Sequence, residues 1–147
     1  MRLWILLLSL GLGCSTTRVG GEVDAAELVV TTTADRSSVP AGQHLQITIT
    51  VTNTSTSSRT LQFSSGCTTD YEFLDAQGKV VGTSQQACLQ ALTQKTLASG
   101  GAFTDVHTWT RGPLEPSQLA PGNYQVRGVL LATRDTVRSQ PVPVVIP

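Results

Sequence analysis

The segment HLQITITVTN (His44–Asn53) decides the fold class. Its apolar residues Leu45, Ile47, Ile49 and Val51 alternate strictly with glutamine and threonine. A period of two places the apolar side chains on one face of a β-strand and the polar ones on the other. The segment therefore predicts a half-buried antiparallel strand with one face in water.

Further short segments with this character occur along the chain, separated by turn chemistry such as Pro40-Ala41-Gly42 and Asp75-Ala76-Gln77-Gly78. About eight short strands at this spacing are typical of an all-β sandwich. Pro141 and Pro143 make the last strand an edge strand, because proline cannot donate a ladder hydrogen bond. The predicted strands cover residues 28–33, 44–53, 60–64, 70–75, 79–81, 102–110, 123–132 and 141–146.

Two segments are less regular. Residues 84–96 have weak periodicity, and 85–92 is compatible with a short helical turn. In 102–110, Phe103 and Trp109 are an even number of residues apart and would lie on one face of a regular strand, whereas Val106 would lie on the other face. A β-bulge would reconcile the three, so we predict one in this strand.

Composition excludes several classes of function. The chain has 147 residues, with 10 basic and 10 acidic ones, and only 14% of its residues are charged. This length fits one domain. A nucleic-acid-binding protein needs a basic face, which a neutral and sparsely charged chain does not suggest.

The N-terminal residues predict an export signal. In residues 1–13, Arg2 precedes a long apolar run that is too short to span a bilayer. Gly13 and Cys14 resemble a bacterial lipobox, which predicts lipidation of Cys14 and attachment to the membrane. The alternative is an ordinary signal peptide cleaved nearby.

We expect residues 14–27 to be a flexible tether, because they are small, polar and glycine-bearing. Residues 28–147 would then form the folded domain. The expected location is the bacterial cell envelope, with the domain lipid-anchored and facing the periplasm or the exterior.

Cys67 and Cys88 remain once Cys14 is assigned to the anchor. An exported protein meets an oxidising environment, so we predict a disulfide between them. Such a bond would stabilise the fold by about 3 kcal/mol in the chain-entropy model. A metal site is the alternative, but two cysteines without clustered histidines or carboxylates fall short of four ligands.

The sequence offers little catalytic chemistry. His44 and His107 both fall within predicted strands, where a half-exposed structural role is the ordinary one. Asp105, His107 and a serine could form a triad, but Asp105 and His107 would lie side by side on one strand face, and no serine sits in a G-x-S-x-G elbow. We therefore predict no enzyme, no cofactor and no metal.

Several segments occur together in an order that resembles the BsuPI family, named for an intracellular proteinase inhibitor of Bacillus. The resemblance covers residues 45 to 147 and implies an immunoglobulin-like fold of 7–8 strands. Gly82 stands where the family often has tryptophan, and Ser99 replaces a proline. The matching pieces are Asn53 at a strand end, LQFSSG (61–66), DYEFLDAQGKVV (70–81), Ser84, LASG (97–100), Phe103 with Trp109, and APGNYQV (120–126).

The sequence and the resemblance together predict two candidate functions. The first is a non-catalytic binding module of the envelope with a protein partner. The second, implied by the resemblance, is a proteinase inhibitor that presents a rigid exposed loop to a serine protease. One candidate loop contains Ser65, Gly66 and Thr68 beside Cys67, and the other, stiffened by prolines, contains Arg111, Pro113, Leu114 and Pro116.

Overall fold

The computed structural model describes residues 27–84, 86–111, 119–134 and 136–147. Within these ranges the chain is all β, and no helix there is long and apolar enough to cross a membrane. The strands are β1 (Leu28–Ala34), β2 (His44–Asn53), β3 (Arg59–Phe63), β4 (Thr69–Leu74), β5 (Val80–Thr83), β6 (Thr93–Leu97), β7 (Ala102–Thr110), β8 (Gly122–Leu130) and β9 (Val142–Ile146).

The strands form an antiparallel β-sandwich, which confirms the predicted all-β sandwich. One sheet has the order β1-β2-β7 and the other the order β5-β4-β8-β9, with every ladder antiparallel. A separate short pair, β3-β6, contacts the chain just after the end of β8. There Phe63 bridges Ala132, and the Thr133 N–H donates to the Gln62 carbonyl at 2.8 Å.

Strand β2 is the centre of its sheet and carries the predicted alternation. Leu45, Ile47, Ile49 and Val51 are fully buried, while the residues between them are exposed or half-buried. The other sheet contributes Phe73, Val126, Leu130 and Val144, also essentially without exposed surface, to the same core. The pattern confirms that period-two burial between two sheets drives the fold.

The structure adds a ninth strand that the sequence did not predict. In β6 the burial alternates, but Leu97 is its only fully buried residue. A strand with so little apolar area on its inner face gives almost no periodic signal. The predicted helical turn at 85–92 was wrong for the described residues 86–92, which form bends and extended chain, and Gln85 lies outside the described residues.

The bulge predicted in 102–110 was also wrong. Strand β7 pairs with β2 in unbroken register from His44↔Thr110 to Thr52↔Ala102. Phe103 and Trp109 point inward, and Val106 simply faces solvent with 59% of its surface exposed. The irregularity lies elsewhere, between Phe73 and Leu74 where β4 pairs with β5.

Strand β9 is an edge strand, as its prolines predict, and part of that edge is covered. The Val145 N–H donates to the Ser37 carbonyl at 2.8 Å, and the Val39 N–H donates to the Val145 carbonyl at 2.9 Å. The segment that follows β1 therefore crosses to the other sheet and shields β9 from further strand pairing.

The two sheets are tied together at Gly128 of β8. Its N–H lies 2.8 Å from the Thr32 hydroxyl of β1 and 3.0 Å from the Ser139 hydroxyl, and these two hydroxyls are 2.7 Å apart. A Cβ atom at position 128 would stand 2.6 Å from the Thr32 Oγ1 and 2.8 Å from Ile49. Only glycine lets the backbone approach this closely.

Candidate interaction site at the disulfide loops

Two loops meet on the surface where β3, β4 and β6 end or begin, and we call residues 64–68 and 86–92 the disulfide loops. The bond between Cys67 and Cys88 joins them, with the two Cα atoms 5.4 Å apart. This confirms the predicted pairing. The cross-link ties together segments 21 residues apart in sequence.

Hydrogen bonds fix the loops beside the cross-link. The carbonyl of Leu89 accepts from the Gly66 N–H at 2.8 Å and from the Ala91 N–H at 2.9 Å. Gly66 fits closely against Leu89, because a Cβ added there would stand 3.2 Å from the Leu89 Cβ. The backbone at Leu89 is therefore held in two ways. The preceding residue, Cys88, is anchored by the disulfide, and the Leu89 carbonyl accepts two hydrogen bonds.

The side chains of this held segment point into solvent. Leu89 is 80% exposed and Leu92 is 89% exposed, and neither loop contains a charged residue. A single exposed leucine is common on protein surfaces. Two on one covalently braced and uncharged segment form an apolar protrusion whose backbone loses little further freedom on binding.

A cavity of about 230 Å³ lies next to Leu92. Its walls come from β3, the start of β6 and Thr133, so it opens at the rim of the disulfide loops. The lining residues are Gln62, Phe63, Leu92, Thr93, Gln94 and Thr133. The protrusion and the neighbouring cavity together offer an irregular surface of mixed polarity to a protein partner.

A polar cluster beneath the disulfide loops holds residues 68 and 69 against β7. The Asp105 carboxylate accepts from the Thr68 hydroxyl at 2.5 Å and from the Thr69 hydroxyl at 2.8 Å. The Thr69 Oγ1 is also 2.8 Å from the His107 Nε2. Lys95 completes the cluster, with its Nζ 3.8 Å from Asp105.

The electrostatics of this cluster favour a neutral histidine. Burial lowers the pKa of His107 below its ordinary value of 6.5, and the nearby carboxylates of Asp105 and Asp70 offset only part of that effect. Its ring also packs edge-on against Tyr71, with the centroids 5.7 Å apart. Neutral His107 therefore acts here as a packing and hydrogen-bonding group between the two sheets.

The cluster does not have the geometry of a nucleophilic triad. Asp105 and His107 lie on one face of β7, as predicted, and both bond to the same hydroxyl instead of to each other. Thr69 is only 1% exposed, so a substrate does not reach its hydroxyl. The hydroxyl, imidazole and carboxylate brace the loop rather than transfer protons to a substrate.

The structure distributes the predicted loop residues unevenly. Gly66 is exposed and Ser65 half-buried, but Thr68 is 7% exposed and its hydroxyl is committed to Asp105. Thr68 therefore positions the loop and does not face a partner. The sequence did not point to Leu89 or Leu92, whose one signal is two leucines near a cysteine in a segment without periodicity.

The second candidate loop is only partly described. Arg111 is half-buried, its guanidinium donates to the Val39 carbonyl at 3.1 Å, and its backbone pairs with Gly42 and Gln43. None of these partners belongs to the disulfide loops, so the structure does not bring Arg111 to that site. Pro113, Leu114 and Pro116 lie outside the described residues.

No group of three or more histidine, cysteine or carboxylate side chains in the described ranges is placed to hold a metal ion. Both described cysteines are consumed by the disulfide, which removes the soft ligands that a zinc site would need.

Comparison with solved structures shows the fold. The chain is similar to a Pseudomonas fluorescens alkylpurine DNA glycosylase (12% identity, TM-score 0.53, covering 82% of this chain and 30% of that one). It is also similar to a Bacillus subtilis sporulation control protein (11% identity, TM-score 0.50, covering 82% of this chain and 49% of that one). A third similar structure is the CARDB domain of a Pyrococcus furiosus protein (12% identity, TM-score 0.45, covering 82% of this chain and 87% of that one). The chain thus spans less than a third of the first of these proteins.

At these identities the similarity concerns the sandwich alone. No curated protein matches the chain in sequence. A family model does match, that of BsuPI, described as intracellular proteinase inhibitor, and the match extends over residues 29–135. That range runs from the second residue of β1 to beyond the end of β8. It contains both disulfide loops and leaves out β9. The chain belongs to the BsuPI family.

Proposed function

We propose that the chain is a non-catalytic protein-binding domain of the bacterial cell envelope, and that the disulfide loops are its contact surface. The observation that carries this proposal is the exposure of Leu89 and Leu92 on a segment fixed by the Cys67–Cys88 bond. An apolar side chain gains free energy when a partner buries it, and a preorganised backbone loses little conformational entropy on binding.

The envelope location has two supports. A buried or braced disulfide persists in oxidising compartments and is rare in the cytosol. The apolar run before Cys14 has the length of an export signal and not of a membrane span. We accordingly propose that Cys14 carries the lipid and that residues 14–27 tether the domain to the membrane.

Lipidation is tested by growing cells that express the full chain with radiolabelled palmitate. The expected result is label in the protein and recovery in the membrane fraction, both lost in the Cys14→Ser variant. Equal labelling of the variant, or an unlabelled chain in the soluble envelope fraction, would contradict the anchor without affecting the binding proposal.

A second candidate function, proteinase inhibition, is favoured by membership of the BsuPI family. The braced backbone around Leu89 is suited to a protease cleft, because a segment that is already ordered loses little conformational entropy when it binds. Inhibition would make the partner a protease and would leave the contact surface unchanged.

The two functions are separated by titrating the full chain against subtilisin-like and trypsin-like serine proteases while following protease activity and chain integrity. An inhibitor gives stoichiometric loss of activity with an intact or singly cut chain, and the Leu89→Ser variant loses at least about tenfold in inhibition constant. The matched control is Val81→Ser, a 40% exposed residue on β5. Absence of inhibition across the panel would leave binding without inhibition.

A further inference from the structure

In the described part of the chain, strand β7 is an edge strand. It lies at the end of the sheet β1-β2-β7, and within the described part of the chain its ladder partner is β2 alone. The N–H of Arg111 donates to Gln43, and the carbonyl of Gly101 accepts from Asn53, so the odd-numbered residues direct their backbone groups toward β2. The even-numbered residues from Ala102 to Thr110 must direct theirs outward.

This edge lacks the features that usually prevent strand pairing. It contains no proline, no lysine and no bulge, and its register with β2 is unbroken over nine residues. Its one charged residue, Asp105, points inward and is engaged by Thr68, Thr69 and Lys95 of its own chain. By contrast, the edge strand β9 contains Pro143 and is covered by residues 37–39. A long, regular and uncovered edge is a template for another strand.

The sequence of β7 is complementary to itself. At equal distances on either side of Val106, three of the four residue pairs are alike or complementary in chemistry, and the fourth, Ala102 with Thr110, is not. The pairs are Asp105 with His107, Thr104 with Thr108, Phe103 with Trp109 and Ala102 with Thr110. Two copies placed antiparallel about a two-fold axis through Val106 would set the members of each pair directly opposite one another.

We propose that β7 is a homodimer interface, at which it pairs antiparallel with β7 of a second copy, centred on Val106. The two three-stranded sheets then become one continuous sheet. The outward-directed N–H and C=O groups of Thr104, Val106 and Thr108 form the ladder, and each such pair exchanges two hydrogen bonds. The arrangement is isologous and closed, so it ends at two copies.

The side chains fit this pairing on both faces of the sheet. The residues of non-hydrogen-bonded pairs approach most closely, and here they place the Asp105 carboxylate opposite the His107 imidazole twice, by symmetry. Thr69 engages Nε2 of His107, and no described residue is shown bonded to the other ring nitrogen. The outward face presents Thr104, Val106 and Thr108, and no like charges oppose one another there.

The test is the mass of the full chain, purified in detergent and measured by light scattering with the detergent contribution subtracted. We expect a mass of two chains at micromolar concentration. Val106→Lys places two lysines opposite each other on the axis and should weaken the dimer at least about tenfold, because directly opposed like charges destabilise a strand pair. The matched control is Val29→Lys on β1, which is 40% exposed and should leave the dimer intact.

A second variant reports the register. The Cα atoms of a hydrogen-bonded pair lie about 5.5 Å apart, within disulfide range, so Val106→Cys should give a covalent dimer on a non-reducing gel while Val29→Cys gives none. A single-chain mass at all concentrations would overturn the proposal. So would a dimer that survives Val106→Lys, one that is lost in Val29→Lys, or a failure of the V106C variant to cross-link.

Discussion

The disulfide loops and the contact at Gly128 are two regions in which the chain is held tightly by opposite means. At Gly128 the backbone is fixed by what surrounds it: the hydroxyls of Thr32 and Ser139 and the side chain of Ile49 lie within 3.0 Å of the residue or of the Cβ it lacks. At the loops it is fixed by the Cys67–Cys88 bond and by hydrogen bonds, while the side chains of Leu89 and Leu92 stay in water.

The difference teaches where rigidity is available for binding. A residue that is rigid because it is buried has no surface left for a partner. A residue that is rigid because its backbone is cross-linked, such as Leu89, keeps its whole side chain for one. The following variants break each kind of restraint in turn, from the largest expected effect to the smallest.

Gly128→Ala should have the largest effect. The new methyl group would overlap the Thr32 hydroxyl and Ile49, and relief requires the sheets to part and the buried hydrogen bonds to Gly128 to break. Overpacking and a lost buried hydrogen bond together should lower the free energy of unfolding by about 4 kcal/mol, measured by urea denaturation. The control is Gly122→Ala, in which the atoms nearest to the new methyl group belong to the Tyr124 side chain and lie 3.4 Å away or more. A comparable loss of stability in that variant would refute the explanation.

Replacing both Cys67 and Cys88 with alanine should cost about 3 kcal/mol, because the unfolded chain regains the freedom of the closed loop. The melting temperature should fall by several degrees, and the circular dichroism of the folded state should not change, because the core does not depend on the bond. The measurement is thermal unfolding with and without reductant. An unchanged melting temperature after reduction would count against the cross-link as a restraint.

Thr69→Val removes the hydroxyl that links Asp105 and His107 and preserves the volume of the side chain. Asp105 keeps the bond from Thr68, so the loss should be about 1.5 kcal/mol in the free energy of unfolding. Thr31→Val, on the exposed face of β1, is the control and should change stability by less than about 0.5 kcal/mol. Equal effects of the two variants would show that the cluster contributes nothing specific.

The smallest effect is a pH dependence. Burial lowers the pKa of His107 in the folded chain below its ordinary 6.5, so the unfolded chain takes up the proton first and the fold loses stability as the pH falls through 6.5. Burial also opposes ionisation of Glu72, but hydrogen bonds from Arg138 and Arg127 outweigh it and lower its pKa below 4.5. The Glu72 contribution is therefore lost at lower pH.

His107 and Glu72 lose their contributions to stability in different pH ranges, so the two contributions can be measured separately. Between pH 8 and 5.5 the free energy of unfolding should decline in the wild type and remain flatter in His107→Gln, as measured by urea denaturation at each pH. Parallel curves for the two proteins in that window would mean that His107 titrates alike in the folded and unfolded chains.

Most of the sandwich could be predicted from the sequence because its strands bury one face. The alternation in His44–Asn53 identifies β2 directly, and the disulfide was predicted from two cysteines in a chain that the sequence leads us to expect is exported. Strand β6 could not be predicted, since only Leu97 is buried there. Val106 suggested a bulge only because an exposed valine looks, in sequence, like a buried one.

The site was harder to predict than the fold. The sequence indicated the loop at Cys67 as one candidate, but exposure of Leu89 and Leu92 depends on where the other loop runs, which local patterns do not encode. The hydrogen bonds between Thr69, Asp105 and His107 join residues 36 and 38 positions apart, and the need for glycine at 128 arises only when two sheets are packed. Both are properties of the tertiary structure.

The measurement that tests the central claim most directly is amide hydrogen exchange at Gly66 in the oxidised and reduced chain. Its N–H donates to the Leu89 carbonyl, so it reports the backbone that presents the exposed leucine. The account predicts slow exchange in the oxidised chain and at least about tenfold faster exchange after reduction, with Gly128 still protected. Exchange at Gly66 as fast in the oxidised chain as in an unstructured peptide would contradict the claim that the disulfide loops form a preorganised contact surface.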